Sequence, residues 1–206
     1  MWYAAYGSNL FEYRFSYYRE GGSLPGTSRT YPGFRDPTPP VATRPLTLPG
    51  TVYFAGDSPV WTGGTAFYAR KPAHGWPAGA AVRGYLITPE QFGDLLAQEM
   101  HRQPGDTPGP DLDEVLDTGV TRVGDGRYET VLHVADVAGY PVLTFTAPCD
   151  ADDVEPSRPA PRYLSMLAAG LRESHGWSRS EVVSYLAALP GVDGRWRRED
   201  RWRLGE

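Results

Sequence analysis

One cysteine, Cys149, and one lysine, Lys71, are all that this 206-residue chain holds of two common residue types. A single thiol makes neither an internal disulfide nor a thiolate metal site, and it fits a reducing compartment. The lone lysine among twenty basic residues reflects a compositional bias and carries no chemistry. No apolar run approaches the ~18 residues of a membrane helix. Nor does a basic-then-apolar leader open the chain, because Glu12 and Arg14 interrupt its start. A cytoplasmic protein without a membrane partner is expected.

Other absences narrow the chemistry. The histidines at 74, 101, 133 and 175 lack metal-ligand spacing, and no Gly-x-Ser-x-Gly elbow occurs. "DADDVE" at 150–155 lacks the glycine and terminal glutamate of a calcium loop and reads as a solvated turn. A net charge of −5 disfavours nucleic acid as a partner. The tail "RWRREDRWRLGE" is therefore expected to pack Trp196 and Trp202 on the body and leave its arginines in solvent.

What is present suits one folded domain over 1–206. A chain of this length buries roughly 70% of its unfolded surface, and six Trp, thirteen Tyr and seven Phe supply a core. Twenty-four Gly and twenty Pro call for many turns and few long helices. Strand-like stretches fall at Trp2–Tyr6, Thr51–Ala55, Thr65–Ala69, Val82–Ile87, Tyr128–Val134 and Pro141–Thr146, with "VAGY" as a hairpin turn between the last two. Six short strands with scattered helices predict an α+β fold built on a small six-stranded, closed or strongly curled β-barrel with flanking helices.

Residues 20–50 are too rich in Pro and Gly for a regular element and read as an ordered loop anchored by Tyr31 and Phe34. Residues 103–127 form a second insertion with one short helix. A helix is expected from about Leu10 to Arg19, capped by Ser8 or Asn9. "TPEQ" at 88–91 predicts a capping box with Pro in the first turn. A third helix runs over Pro161–Ser174 to a stop at Gly176, and "SRSE" at 178–181 starts a fourth that Pro190-Gly191 ends.

The helix after Pro89 carries the most informative residue. With Phe92 at zero, Leu95 lies at about 300°, Leu96 at about 40° and Met100 at about 80°, one apolar stripe. Glu90, Asp94, Gln98 and His101 fall on the opposite half. Glu99, at about 340°, falls inside the stripe. A carboxylate there is a desolvated general acid or base, the partner of a buried arginine, or, if the helix turns slightly, a side chain that snorkels to water.

"YGSNL" at 6–10, directly behind the first strand, together with "QE" at 98–99 on a helix, resembles the γ-glutamylcyclotransferase-like (butirosin-cyclotransferase-like) family. "GGTAFY" at 63–68, "VRGYLIT" at 82–88, "RY" at 127–128 and "PAPRYLSML" at 159–167 are similar to later family segments, in the right order over about half of the chain. The 20–50 and 103–127 segments look longer than in compact members. The resemblance implies a cofactor-independent enzyme without a metal, acting on a small γ-glutamyl compound as a monomer or homodimer. The substrate's α-amine attacks its own γ-carbonyl, releasing 5-oxoproline and a free amine. Glu99 is then the general base and acid. Tyr6, Gly7, Ser8, Asn9, Leu10, Tyr128 and Tyr163 line the substrate site. Backbone N–H groups of the turn would hold either the substrate carboxylate or the developing oxyanion. The alternative is a non-catalytic binding or interaction protein on the same scaffold.

Overall fold

The computed structural model describes residues 1–27, 29–58, 60–71, 78–106 and 109–194. In chain order the strands and helices are β1 (Trp2–Ala5), α1 (Glu12–Glu20), β2 (Gly22–Ser23), β3 (Thr30–Tyr31), β4 (Ala42–Leu48), β5 (Thr51–Ala55) and β6 (Thr65–Ala69). Then follow β7 (Ala80–Leu86), α2 (Pro89–Glu99), α3 (Leu112–Thr118), β8 (Val120–Arg122), β9 (Thr130–Val137), β10 (Tyr140–Thr146), α4 (Pro161–His175) and α5 (Arg179–Ala187). They form two compact units. The first is Met1–Ala5, Tyr13–Arg44 and Gly84–Pro148; the second is Tyr6–Glu12, Pro45–Arg83 and Cys149–Glu206.

The α+β class is as expected, but the barrel is not. One six-stranded sheet has the order β4-β7-β1-β10-β9-β8, while β5 pairs only with β6 and β2 only with β3. Among the described residues no sheet closes. Backbone satisfaction explains why β5 stays apart from the large sheet. Its Phe54 N–H donates to the Pro190 carbonyl at 2.9 Å, and its Phe54 carbonyl accepts from Ser157 N–H at 2.8 Å. Loop segments thus occupy hydrogen-bonding groups that a closing strand would need. The predicted Arg/Trp-rich tail lies outside the described residues, as does His74.

In the first unit, β1 runs parallel to β10, which pairs antiparallel with β9. The hairpin between β9 and β10 turns on Ala138 and Gly139, both with positive φ (52° and 80°), the backbone that a two-residue turn requires. Tyr3 sits centrally in this unit's core, with ring centroids 5.3 Å from Phe145, 6.0 Å from Phe92 and 6.2 Å from both Phe15 and Tyr85. Tyr31 and Phe34 are buried, so the 20–50 segment is anchored as expected. It nonetheless contains β4. Pro45 lacks a backbone N–H, and β4 tolerates it because that strand is the edge of its sheet.

Helix α2 begins with the expected capping box: Thr88 Oγ1 accepts from Gln91 N–H at 3.2 Å, and Gln91 Oε1 accepts from Thr88 N–H at 3.1 Å. Phe92, Leu95 and Leu96 face the core as read. Only part of the polar half faces water, however: Glu90 and His101 are exposed. Asp94 and Gln98 are buried, because residues 33–38 fold over them. Asp94 takes Arg35 N–H and Nε–H at 2.8 Å each, and Gln91 Nε2 donates to the Asp36 and Thr38 carbonyls. A polar helix face thus becomes the hook that fastens a proline-rich loop.

In the second unit, α4 packs along the turn formed by residues 8–10. Gly170 makes this approach possible, since an added Cβ would overlap the backbone of Leu10 and Phe11. The helix ends as expected at Gly176, whose φ is 68°. Just before it, His175 is half-buried, with Nδ1 2.7 Å from Ser174 Oγ and Nε2 3.4 Å from the Leu46 carbonyl. Helix α5 starts where expected, on a capping box of Ser178 with Glu181.

Gly170→Ala should cost about 3 kcal/mol in urea denaturation, because backbone overlap forces the helix away from the turn. Gly176→Asn, at an open left-handed position, should cost a few tenths only. Acid should also destabilise the fold through His175. Burial lowers its pKa from the ordinary 6.5, so the unfolded chain binds its proton first as pH falls. Stability contributed by neutral His175 is present above about pH 6.5 and lost as pH falls through the lower folded value. The melting temperature of His175→Gln should therefore vary less between pH 7 and 5 than that of the wild type.

Candidate functional site

Glu99 and Tyr128 belong to the first unit; the Tyr6–Leu10 turn and Tyr163 belong to the second. Each group is built by its own local logic.

Glu99 is the last residue of α2. It is half-buried rather than enclosed, which corrects the expectation of a fully desolvated carboxylate. The apolar stripe simply runs out there. Met100 closes the last turn, and His101 adopts a positive φ of 59° that carries the chain away. The residue before it is fixed firmly. Gln98 is fully buried, and its Nε2 donates to the Tyr18 carbonyl at 3.0 Å and the Gly33 carbonyl at 3.3 Å. Its own carbonyl accepts from Arg29.

The surroundings of Glu99 are cationic and phenolic. Arg14 on α1 is buried, and its Nη2 donates to Tyr31 Oη at 2.6 Å and Tyr18 Oη at 3.2 Å. Its guanidinium carbon lies 4.4 Å from the Tyr18 ring centre and 4.5 Å from that of Tyr31. Burial works against this cation, yet the phenolic oxygens of Tyr18 and Tyr31 and the Glu99 carboxylate more than offset it, so its pKa is raised. Burial, reinforced by the Glu99 charge, pushes the Tyr18 hydroxyl well above its usual range, so it remains a donor. A buried arginine is therefore within electrostatic reach of Glu99. Tyr128 packs edge-on against Phe145, ring centroids 5.6 Å apart.

The expected helix cap in the turn is absent. Ser8–Leu10 form a separate single 3-10 turn with no side-chain cap, and α1 starts only at Glu12. Leu10 N–H donates to the Gly7 carbonyl at 3.0 Å, and Phe11 N–H to the Ser8 carbonyl at 3.2 Å. Asn9 and Leu10 are buried, and Tyr6 packs on Tyr68. Tyr163 is brought to this turn: its hydroxyl would lie 3.1 Å from a Cβ built on Gly7, and it accepts from Ala66 N–H at 3.4 Å. Its ring stacks on Trp61 at 5.3 Å. The sequence-derived residues Tyr6–Leu10 and Tyr163 therefore form one cluster. Among the described residues no group of three or more His, Cys, Asp or Glu comes together to hold a metal, and no helix is long and apolar enough to cross a membrane.

No family model matches the chain. Histone deacetylase 5 from Arabidopsis thaliana is 31% identical to it over 207 residues, a match that covers 90% of this chain and 30% of that protein. The chain thus spans less than a third of that relative's length. A solved structure titled "Gamma-glutamyl cyclotransferase" is similar with a TM-score of 0.48 and 16% identity, covering 99% of this chain and 97% of that one. An uncharacterized protein from Homo sapiens is similar with a TM-score of 0.45 and 17% identity, covering 100% of this chain and 98% of its own.

Three arginines escaped the sequence reading. Arg14 sits four residues before Tyr18 on a helix face shared with Phe15, a spacing that brings the two side chains together. Arg29 gave no signal, lying in a Gly/Pro/Ser-rich stretch. Arg83 did: it interrupts the otherwise apolar strand Ala80–Leu86. It is buried, donates to the Leu10 carbonyl at 3.4 Å and to Glu12 at 2.6 Å, and pairs with Glu173 on α4. Arg83 thus fixes the end of the turn to the helix beneath it. Arg83→Met should cost on the order of 3 kcal/mol in urea denaturation, since it leaves two glutamates facing each other without their cation. A loss below about 1 kcal/mol would show that the half-exposed glutamates are adequately served by water.

Proposed function

We propose that the protein is a γ-glutamylcyclotransferase-type enzyme in which Glu99 moves the protons. The substrate's α-amine attacks its own γ-glutamyl carbonyl; a C–N bond forms within the new five-membered lactam, and the original amide C–N bond breaks. The products are 5-oxoproline and a free amine. An ammonium is not a nucleophile, so a base must take one proton, and the departing amine must receive one. A single carboxylate can serve both steps. Amine and carbonyl already share one molecule, so the protein's remaining task is orientation and exclusion of water. No metal or organic cofactor enters this chemistry.

The observation that carries the reading is the half-open position of Glu99. A carboxylate at the end of a buried helix, set by the fully buried Gln98 beside it, is both firmly held and reachable. Residue by residue, Tyr6, Gly7, Ser8, Asn9 and Leu10 are assigned to substrate binding through turn N–H groups and short polar side chains, with Tyr128 and Tyr163 as aromatic walls. A small γ-glutamyl molecule is the partner, and a cytoplasmic location suits it. One observation favours a second reading: Arg14 is a buried arginine on which Glu99 acts, so Glu99 can be its structural counter-ion in a protein that binds without catalysing.

Glu99→Gln separates the two. As proton shuttle, its loss should lower 5-oxoproline release by roughly 10²–10⁴-fold at an unchanged melting temperature. As counter-ion only, the same change should leave Arg14 uncompensated and destabilise the fold by on the order of 3 kcal/mol.

A further inference from the structure

We propose that Arg29, backed by the buried guanidinium of Arg14, is the anion subsite that holds the α-carboxylate of the γ-glutamyl substrate next to Glu99. The identity of the ligand rests on the function proposed above; the subsite itself rests on four observations within the first unit.

Two cations converge on one tyrosine. The guanidinium carbons of Arg29 and Arg14 lie 4.4 Å and 4.5 Å from the Tyr31 ring centre, and 5.9 Å and 4.4 Å from that of Tyr18. Each aromatic face attracts a cation, but two guanidiniums at such range repel each other unless negative charge accompanies them. Glu99 is the one carboxylate among the groups that act on Arg14. A second cation, Arg127, joins Arg29 in opposing protonation of His101, whose pKa burial lowers first. Arg14, Arg29 and Arg127 thus all bear on the groups around Glu99.

Arg14 also holds unused donors. Its Nη2 serves two phenols, while its Nε and Nη1 are buried with no hydrogen-bond partner among the described residues. Buried donors of a charged group are normally satisfied, so the Arg14 charge is only partly compensated by its hydrogen bonds. Arg14 is too enclosed to touch a ligand, so it acts as a positioning residue: it fixes Tyr31 and supplies charge. Arg29 is half-exposed, with an Nη2 donated to the Gln98 carbonyl, one residue from Glu99.

The chemistry then names the group that Arg29 faces. In a γ-glutamyl compound the α-carbon bears both the attacking amine and a carboxylate. Whatever residue accepts the amine proton therefore stands beside the carboxylate, and a cation is needed at that spot. Neutralising the carboxylate also weakens its hold on the ammonium proton, which eases transfer to Glu99. The plain alternative is that Arg29 merely caps the C-terminal carbonyls of α2.

Calorimetric binding of 5-oxoproline and of 2-pyrrolidinone, the same lactam without its carboxylate, tests the subsite without relying on turnover. The wild type should bind 5-oxoproline at least tenfold more tightly than 2-pyrrolidinone; Arg29→Met should abolish that preference, and Arg29→Lys should restore part of it. Equal affinities, no binding of either, or an undiminished preference in Arg29→Met overturns the proposal. A carboxylate preference that vanishes in Arg29→Met, with no 5-oxoproline released from any γ-glutamyl compound, keeps the subsite and overturns the catalytic reading. Turnover with no carboxylate preference does the reverse.

Discussion

The side-chain amide of Gln98 sets the geometry on which the first unit's chemistry depends. Its Nε2 meets carbonyls from Tyr18 at the end of α1, from Gly33 in the overlying loop and, at 3.4 Å, from Asp94 in its own helix. Three chain segments are thus fastened by one fully buried group. Such carbonyls are costly to leave unpaired, so the arrangement is stiff. Glu99 is the next residue along, and Tyr18 carries the hydroxyl that steadies Arg14. The carboxylate and the buried cation thus adjoin segments fastened by that amide, while Arg29 donates to the main-chain carbonyl of the same residue.

A comparable constraint governs the second unit, where the turn after β1 rests on one face of α4. Tyr163, Gly170 and Glu173 lie on that helix at intervals of seven and three, close to whole turns, so they address Gly7, Leu10 and Glu12 in succession. Contact, absence of a Cβ and charge each contribute. Arg83 closes the set from β7. The turn is therefore held from beneath over its whole length, although it contains only one 3-10 turn and lacks a side-chain cap.

Local signals in the sequence were legible because local physics decides them. Strands β5 and β6 match the stretches read for them residue for residue, the capping box at Thr88 forms, and Gly176 stops α4 in the left-handed conformation. Partner choice was not legible. Whether β5 joins a barrel or pairs with β6 alone depends on segments 156–157 and 190 competing for its backbone, far away in sequence. Periodicity also assumes that a helix's polar half meets water. That assumption failed for Asp94 and Gln98, which serve a loop whose prolines had hidden strand β4. That a turn follows β1 and that Glu99 lies on α2 could be read from sequence, but the missing cap and the partial exposure of Glu99 could not; Arg14 and Arg29 required the fold, because neither breaks an apolar pattern.

The central claim is an intramolecular attack, and the origin of the product's oxygen tests it most directly. Incubation of the protein with a panel of γ-glutamyl compounds in ¹⁸O-labelled water, followed by mass spectrometry, distinguishes attack by the substrate's own amine from attack by water. The account predicts unlabelled 5-oxoproline and one equivalent of free amine. Glutamate carrying ¹⁸O, or no cleavage of any γ-glutamyl compound, would contradict it.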